Sequence, residues 1–183
     1  MLCSANAAKL SEVRDAFPDW DVQLLAATTY PEEDGATYVD NARIKARYGR
    51  ISGPTDRWML ADDSGIEIDA LGGGPGVQTA RWAEGRHVEK MLEALDGIED
   101  RRARYVAELV LLSPIRAETR GTGVLEGTIA VKAAGTGGFG FDPIFVPHGE
   151  TRTVAELGDA WKAEHSHRAL AARALLDALP RRP

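Results

Sequence analysis

Two adjacent acids at the end of a short apolar run are the first residues in this chain that could do chemistry. The segment LADDSGIEIDALGGGPG, residues 60–76, places Asp62 and Asp63 directly before Ser64 and Gly65. Successive side chains of a strand point to opposite faces, so both acids could face one ligand only if the strand ended between them. We therefore expect one acid to face a ligand and the other to anchor structure. A plain turn is the alternative interpretation, because Asp-Asp-Ser-Gly is also good turn chemistry.

The N-terminal segment SANAAK could form a site for an anion. A short strand runs into a helix here, and Ser4 and Asn6 are residue types that cap helices. The first turn of that helix would present free backbone N–H groups, and Lys9 would add a positive charge beside them. The candidate anion site consists of Ser4, Ala5, Asn6, Ala7, Ala8 and Lys9. A capped helix with a solvated lysine is the plainer alternative.

Two glycine-rich loops have different interpretations. GGFGFDP, residues 137–143, places Phe139 and Phe141 among glycines, outside any amphipathic pattern. An aromatic ring in such a loop can stack on a flat base, although we interpret Phe141 as a core residue. GGGPG, residues 72–76, lacks the Gly-Lys-Ser/Thr of a Walker loop, so we predict only a tight turn there.

Basic residues collect near the start of the C-terminal helix. Lys162, His165, His167 and Arg168 lie within seven positions and are interpreted as donors. Two histidines at this spacing could also bind zinc, but that interpretation is disfavoured because no third ligand stands at a suitable spacing.

Lysine is rare in this chain, and its positions are informative. Only five of the 22 basic residues are lysines, and Lys9, Lys45 and Lys162 all lie in or beside the candidate segments. A compact ammonium group suits point contacts with phosphate, so these three lysines are candidate phosphate or substrate ligands.

Hydrophobic periodicity predicts the helices that must position these residues. The predicted helices lie at residues 10–17, 37–48, 88–95 and 167–179. Thr37 and Asp40 have the form of a capping box at the start of the second helix. Ser166 is the predicted N-cap of the last.

Apolar and alternating runs predict the strands. They lie at residues 21–25, 58–62, 65–71 and 104–113, and the glycine-spaced segment 121–131 forms a bulged hairpin with the last. Mixed strands and helices without strict alternation indicate an α/β or α+β fold with a cleft.

Composition limits the partners and the compartment. The chain has 183 residues, 44% of them hydrophobic, which suits one domain or a tight two-lobed unit. The net charge of −6 gives no basic field for nucleic acid or an anionic membrane and favours a small ligand. No window approaches the roughly 20 apolar residues of a membrane span, and no signal peptide is evident, so a cytoplasmic protein is expected. The single cysteine, Cys3, is expected to be a small buried hydrophobe.

Five segments, taken in order, resemble the inosine triphosphate pyrophosphatase family, which acts on non-standard purine nucleoside triphosphates. These segments are SANAAKLSEVRDAF, EEDGATYVDNARIKARY, LADDSGIEIDALGGGPGVQTARWAEG, GTGGFGFDPIFVP and SHRALA. The resemblance implies an α/β fold with an elongated mixed central sheet flanked by helices, and two lobes with a nucleotide cleft between them, formed as one domain over residues 1–183. It also implies a homodimer. The implied activity is Mg²⁺-dependent hydrolysis of ITP, dITP and XTP to the monophosphate and pyrophosphate.

The resemblance also implies roles for individual residues. Glu33 and Asp63 would bind Mg²⁺, and Asp63 would be the proton acceptor. The triphosphate would contact residues 4–9 and Lys45, and Ser64 would touch the substrate. The base and sugar pocket would include Phe139, Gly140, Phe141, Asp142, Lys162, His167 and Arg168.

Two other functions stay open at this point. One is a Maf-like house-cleaning pyrophosphatase that acts on other modified nucleotides. The other is a nucleotide-binding sensor without turnover, against which Glu33, Asp63 and Lys9 argue.

Overall fold

The computed structural model of the protein describes residues 1–4, 6, 8–27 and 29–180, and the chain divides into two compact units. Unit 1 comprises Met1–Asp63, Ala107–Gly123 and His167–Pro183, and unit 2 comprises Ser64–Val106 and Val124–Ser166. The expectation of one two-lobed domain with a cleft stays a prediction. No helix in the described part of the chain is long and apolar enough to cross a bilayer.

Within the described residues, a four-stranded antiparallel sheet and six α-helices make up the regular structure, apart from two short 3-10 helices, which confirms the α/β class. The strands are β1 Met59–Ile68, β2 Arg102–Leu112, β3 Glu118–Ile129 and β4 Phe145–Pro147, in the order β1-β2-β3-β4. Leu2 adds isolated parallel bridges to Leu24 and Leu60, so pairing is mixed where the N-terminus meets β1. The helices are α1 Ala8–Ala16, α2 Tyr38–Ser52, α3 Thr79–Ala83, α4 His87–Ala94, α5 Val154–His165 and α6 His167–Asp177.

Strand β1 corrects the sequence prediction at the paired acids. Two strands were expected on either side of Ser64 and Gly65, whereas β1 runs through both residues without a break. Eight of its ten residues are buried, as in a strand that is covered on both faces. Because the strand does not end between Asp62 and Asp63, their side chains alternate across it.

Other elements also differ from the predictions. Residues 21–25 form no strand and contribute only the bridge at Leu24, because the ladder there is one residue long. Ser166 is the C-cap of α5, where its N–H donates to the carbonyl of Lys162, and it directly precedes α6, so its role as the N-cap of α6 stays a prediction. Helix α5 and strand β4 were not predicted, although Thr153 and Glu156 form a complete capping box at the start of α5.

Glycines in β3 position helix α6 within unit 1. A Cβ at Gly121 would overlap the carbonyl oxygen of Ala171, and one at Gly123 would overlap that of His167. The backbone of α6 therefore lies directly against the strand. The glycine spacing, which we interpreted as a bulge, serves this close approach and sets the position of Arg168.

Each unit has its own apolar core. In unit 1, fully buried Leu2, Phe17 and Leu109 pack together with small residues of α6. In unit 2, Phe141 is 2% exposed and packs with Phe145 and other buried residues, which confirms its interpretation as a core residue.

Candidate active site

Asp63 lies at the centre of the first polar cluster in unit 1. Lys45 Nζ donates to Asp63 Oδ1 at 3.2 Å and to Glu33 Oε2 at 2.6 Å. Asn41 Nδ2 donates to the second oxygen of Asp63 at 3.2 Å. Asn41 and Lys45 are one turn apart on α2, so one helix face presents both donors to β1. The structure thus brings together three residues that the sequence predicted, Glu33, Lys45 and Asp63.

A glycine contact sets the orientation of Asn41 and the approach of the loop that carries Glu33. The N–H of Gly35 donates to Asn41 Oδ1 at 2.8 Å, so the amide nitrogen is the part of the side chain that faces Asp63. A Cβ at Gly35 would stand 2.6 Å from the same oxygen, which is closer than real Cβ contacts. Asn41 was not predicted, and its spacing of four residues from Lys45 is the signal that could have found it.

Burial shifts the proton affinity of this cluster. It raises the pKa of Asp63 above the ordinary value, an effect that the charge of Lys45 opposes. Burial also disfavours the ammonium form of Lys45, but Asp63 and the other nearby carboxylates outweigh it and raise the pKa of Lys45. A carboxylate with a raised pKa beside a fixed cation has the properties of a general base.

Asp62 lies at the centre of a second cluster in the same unit. Its Oδ1 is 3.1 Å from Lys9 Nζ, and its Oδ2 accepts from Arg168 Nε at 3.0 Å. Arg168 Nη1 also donates to Glu12 Oε2 at 2.5 Å. The side chain of Asp62 is fully buried, whereas that of Asp63 is 11% exposed. This difference agrees with the expectation that one acid anchors structure.

The charges in the second cluster depend on one another. Burial alone would raise the pKa of Asp62, but Lys9 and Arg168 hold it well below its usual range. Burial lowers the pKa of Lys9, and Asp62 opposes that effect most strongly. Glu12 was not predicted; it follows Lys9 by three residues on α1, which places both on one helix face.

The predicted phosphate segment is described only in part. Ser4 is buried, and its Oγ accepts from the N–H of Asn6 at 3.1 Å, as a capping residue does. Ala8 is the first residue of α1, and Lys9 follows it. Ala5 and Ala7 lie outside the described residues.

A separate polar cluster in unit 2 contains Asp142, Lys162 and Phe139. Asp142 Oδ2 accepts from Lys162 Nζ at 2.7 Å and from the N–H of Phe139 at 2.9 Å. The Lys162 ammonium also lies 4.7 Å from the centre of the Phe139 ring. At Gly138, where φ is +71°, a Cβ would overlap the carboxylate of Asp142, so the loop requires glycine there. The cluster fixes the ring and the cation together.

The remaining predicted residues lie in regular elements or beside this cluster. Ser64 is half-buried within β1, and Gly140, with φ at +65°, follows Phe139. His167 is a buried residue at the start of α6, next to Arg168.

Carboxylates suitable for a metal occur as a pair. Glu33 and Asp63 both contact the ammonium of Lys45, so their oxygens converge on a volume that a cation already bridges. Among the described residues, no group of three or more His, Cys, Asp or Glu side chains could hold a metal. A pair of carboxylates still fits Mg²⁺, which takes one or two carboxylates and completes its shell with phosphate oxygens and water.

Comparisons with known proteins agree over nearly the whole chain. The model of the Ham1 family matches residues 1–178. A dITP/XTP pyrophosphatase of Bdellovibrio bacteriovorus is 38% identical, with 97% of this chain and 96% of that protein covered. One from Thermus thermophilus is 40% identical, with 97% and 90% covered.

Solved structures give the same result for the fold. A HAM1 protein from Coxiella burnetii matches with a TM-score of 0.80 and 36% identity, covering 94% of this chain and 93% of that one. The Staphylococcus aureus Ham1 protein matches with a TM-score of 0.79 and 32% identity, covering 96% and 93%.

Proposed function

This chain belongs to the Ham1 family, and on that premise we propose that it hydrolyses deaminated purine nucleoside triphosphates. The substrates would be ITP, dITP and XTP, and the products the monophosphate and pyrophosphate. Relatives that cover nearly the whole chain are dITP/XTP pyrophosphatases, which supports this substrate class. The observation that carries the proposal is the buried Asp63 carboxylate, which shares the ammonium of Lys45 with Glu33.

The reaction needs a base and positive charge close together. Water must attack the α-phosphorus through a shell of negative oxygens, and a carboxylate must orient that water and accept its proton. Asp63 would be this base, because Asn41 and Lys45 hold its largely buried carboxylate in place beside Glu33. Lys45 and Lys9 would bind phosphate oxygens with their ammonium groups. The bond to the leaving pyrophosphate then breaks as the bond to water forms.

Glu33 and Asp63 would hold Mg²⁺. When bound, this ion would neutralise phosphate oxygens and so lower the barrier to attack by an anionic nucleophile. The fit rests on the convergence of the two carboxylates on a single ammonium in this structure. Removal of divalent cations with a chelator should therefore abolish hydrolysis.

Hydrogen bonding explains how the nucleobase of the substrate would be selected. Hypoxanthine and xanthine carry an acceptor oxygen at position 6, where adenine carries an amino donor. A fixed donor facing this position would favour hypoxanthine and xanthine and would leave the amino group of adenine without a partner. Phe139 would stack on the base, and Lys162, His167 and Arg168 would contribute donors. We further propose that the protein forms a homodimer and is cytoplasmic. Light scattering on purified protein tests the homodimer.

A panel of nucleotides tests the function. The protein is incubated with MgCl₂ and ITP, dITP, XTP, ATP or GTP, and phosphorus NMR follows the products. Release of pyrophosphate from ITP, dITP and XTP in preference to ATP is expected. Orthophosphate without pyrophosphate, or equal turnover of ATP and ITP, contradicts the proposal. Preference for a modified pyrimidine or methylated guanine nucleotide would indicate the Maf-like alternative.

Replacement of the base tests the role of Asp63. Asp63→Asn should lower kcat by a factor of about 10² to 10⁴, the usual contribution of a general base. Binding of XTP should persist, since Asn41 and Lys45 stay beside residue 63. Calorimetry with XTP measures that binding. A variant that keeps near-normal turnover would exclude Asp63 as the base. If the unaltered chain binds XTP without any turnover, the protein is a sensor.

A further inference from the structure

The role proposed for Asp63 does not account for the neighbouring acid, Asp62. Its side chain is fully buried, so a nucleotide cannot contact it, yet it binds two cations that the proposed function uses. We propose that Asp62 is a positioning residue, which holds Lys9 for phosphate binding and Arg168 beside it without touching the substrate. This inference rests on the proposed function.

The two cations and two acids form a linear ion-pair network in unit 1. Lys9 and Glu12 lie three residues apart on one face of α1, Asp62 lies on β1, and Arg168 lies on α6. Asp62 contacts Lys9 and Arg168, and Arg168 in turn contacts Glu12. This ion-pair network therefore connects α1, β1 and α6 through two positive and two negative groups. Their charges sum to zero, which makes burial of all four side chains tolerable.

Lys9 is the cation of this network that the proposed function places on the phosphates. Its side chain is 14% exposed, whereas those of Asp62 and Arg168 are 0% and 5% exposed. Its contact with Asp62 is an ion pair without hydrogen-bond geometry, since Asp62 Oδ1 has no hydrogen-bond partner among the described residues. A lysine has a flexible four-carbon stem, so an anchor at the ammonium removes conformational freedom before the phosphate arrives.

Loss of the anchor has a predictable direction. Without the charge of Asp62, the ammonium of Lys9 would be repelled by the guanidinium of Arg168 and would leave its position. The opposite effect is also physically possible, because removal of a negative charge makes the site more attractive to anions. The sign of the change in phosphate affinity therefore separates positioning from simple neutralisation.

Inorganic tripolyphosphate is the probe, since it carries the phosphates without a base. Isothermal titration calorimetry in magnesium buffer compares Asp62→Asn with the matched variant Glu12→Gln. The control removes the other acid of the ion-pair network and leaves the pair of Lys9 and Asp62 intact. Asp62→Asn should raise the dissociation constant by about tenfold, because the phosphate must then order a lysine side chain that has lost its ion pair. Glu12→Gln should change it by less than about threefold, because Glu12 binds Arg168.

Three results would overturn the proposal. They are unchanged affinity per folded molecule in Asp62→Asn, tighter binding in that variant, and no binding of tripolyphosphate to the unaltered chain. Unchanged affinity with a reduced binding stoichiometry would mean that Asp62 only supports folding.

A double-mutant cycle keeps the test decisive if Asp62→Asn folds poorly. Lys9→Met and the double variant Lys9→Met/Asp62→Asn should bind tripolyphosphate equally, because Asp62 acts through Lys9. The double variant also lacks the unpaired ammonium that would destabilise the single one. Weaker binding by the double variant, by more than about threefold, overturns the proposal. Turnover is not needed for any of these measurements, so failure of the unaltered chain to hydrolyse XTP would overturn the proposed function alone.

Discussion

Replacement of Lys45 by methionine should strengthen the binding of a divalent metal to the nucleotide-free protein. Lys45 Nζ lies 2.6 Å from Glu33 Oε2 and 3.2 Å from Asp63 Oδ1, so its charge occupies the space that the metal would take. At an effective dielectric constant of about 20, two unit charges attract by about 4 kcal/mol at about 4 Å. Desolvation of Lys45 cancels much of this attraction. The side chain of Glu33, at 38% exposure, adds little to it. We expect about tenfold tighter binding, equal to about 1.4 kcal/mol.

Electron paramagnetic resonance of free Mn²⁺ measures this affinity without turnover. Arg43→Met is the matched control, because it removes a positive charge from the same helix, where Arg43 pairs with Glu118. The control should leave the dissociation constant of Mn²⁺ unchanged. Hydrolysis of XTP by Lys45→Met should fall, since the proposed phosphate contact is lost. Unchanged or weaker Mn²⁺ binding in Lys45→Met would refute the assignment of Glu33 and Asp63 as the metal site.

Three further predictions test other parts of the structure. Gly123→Ala should destabilise the protein by about 1–3 kcal/mol in urea unfolding, because the added methyl group would overlap the His167 carbonyl of α6; an unchanged unfolding midpoint would contradict that packing. Phe139→Ala should raise KM for XTP by about tenfold, since stacking of a base on an aromatic ring contributes about 1–3 kcal/mol; an unchanged KM would exclude stacking. Burial raises the pKa of Cys3 to about 11, so below that pH the thiol stays protonated, and it should react with Ellman's reagent at pH 8 only after unfolding. Rapid reaction of the native protein would show that Cys3 is accessible.

Local patterns predicted the parts of the structure that depend on a few neighbouring residues. Side chains alternate along any strand, and this rule alone predicted different roles for Asp62 and Asp63, which have separate partners in the structure. The Thr37 cap of α2 is a further example, since its Oγ1 accepts from the N–H of Asp40. The prediction of a break in the strand at Ser64 and Gly65 was wrong, because burial on both faces keeps these turn-forming residues in β1.

Contacts between distant segments could not be predicted in this way. Arg168 and Asp62 are 106 residues apart, and nothing near either residue indicates the other. The role of Gly121 and Gly123 depends on the position of α6, which no local pattern gives. The residues alone indicated Lys45 and Asp63, and the resemblance to a family added Glu33, but neither predicted their connection through one ammonium.

Hydrolysis of XTP in H₂¹⁸O tests the central claim most directly. If water attacks the α-phosphorus with Asp63 as the base, mass spectrometry should find the heavy oxygen in the monophosphate and unlabelled pyrophosphate. Asp63→Asn should release neither product at a comparable rate. Heavy oxygen in pyrophosphate or orthophosphate, or unchanged turnover by Asp63→Asn, would contradict the account.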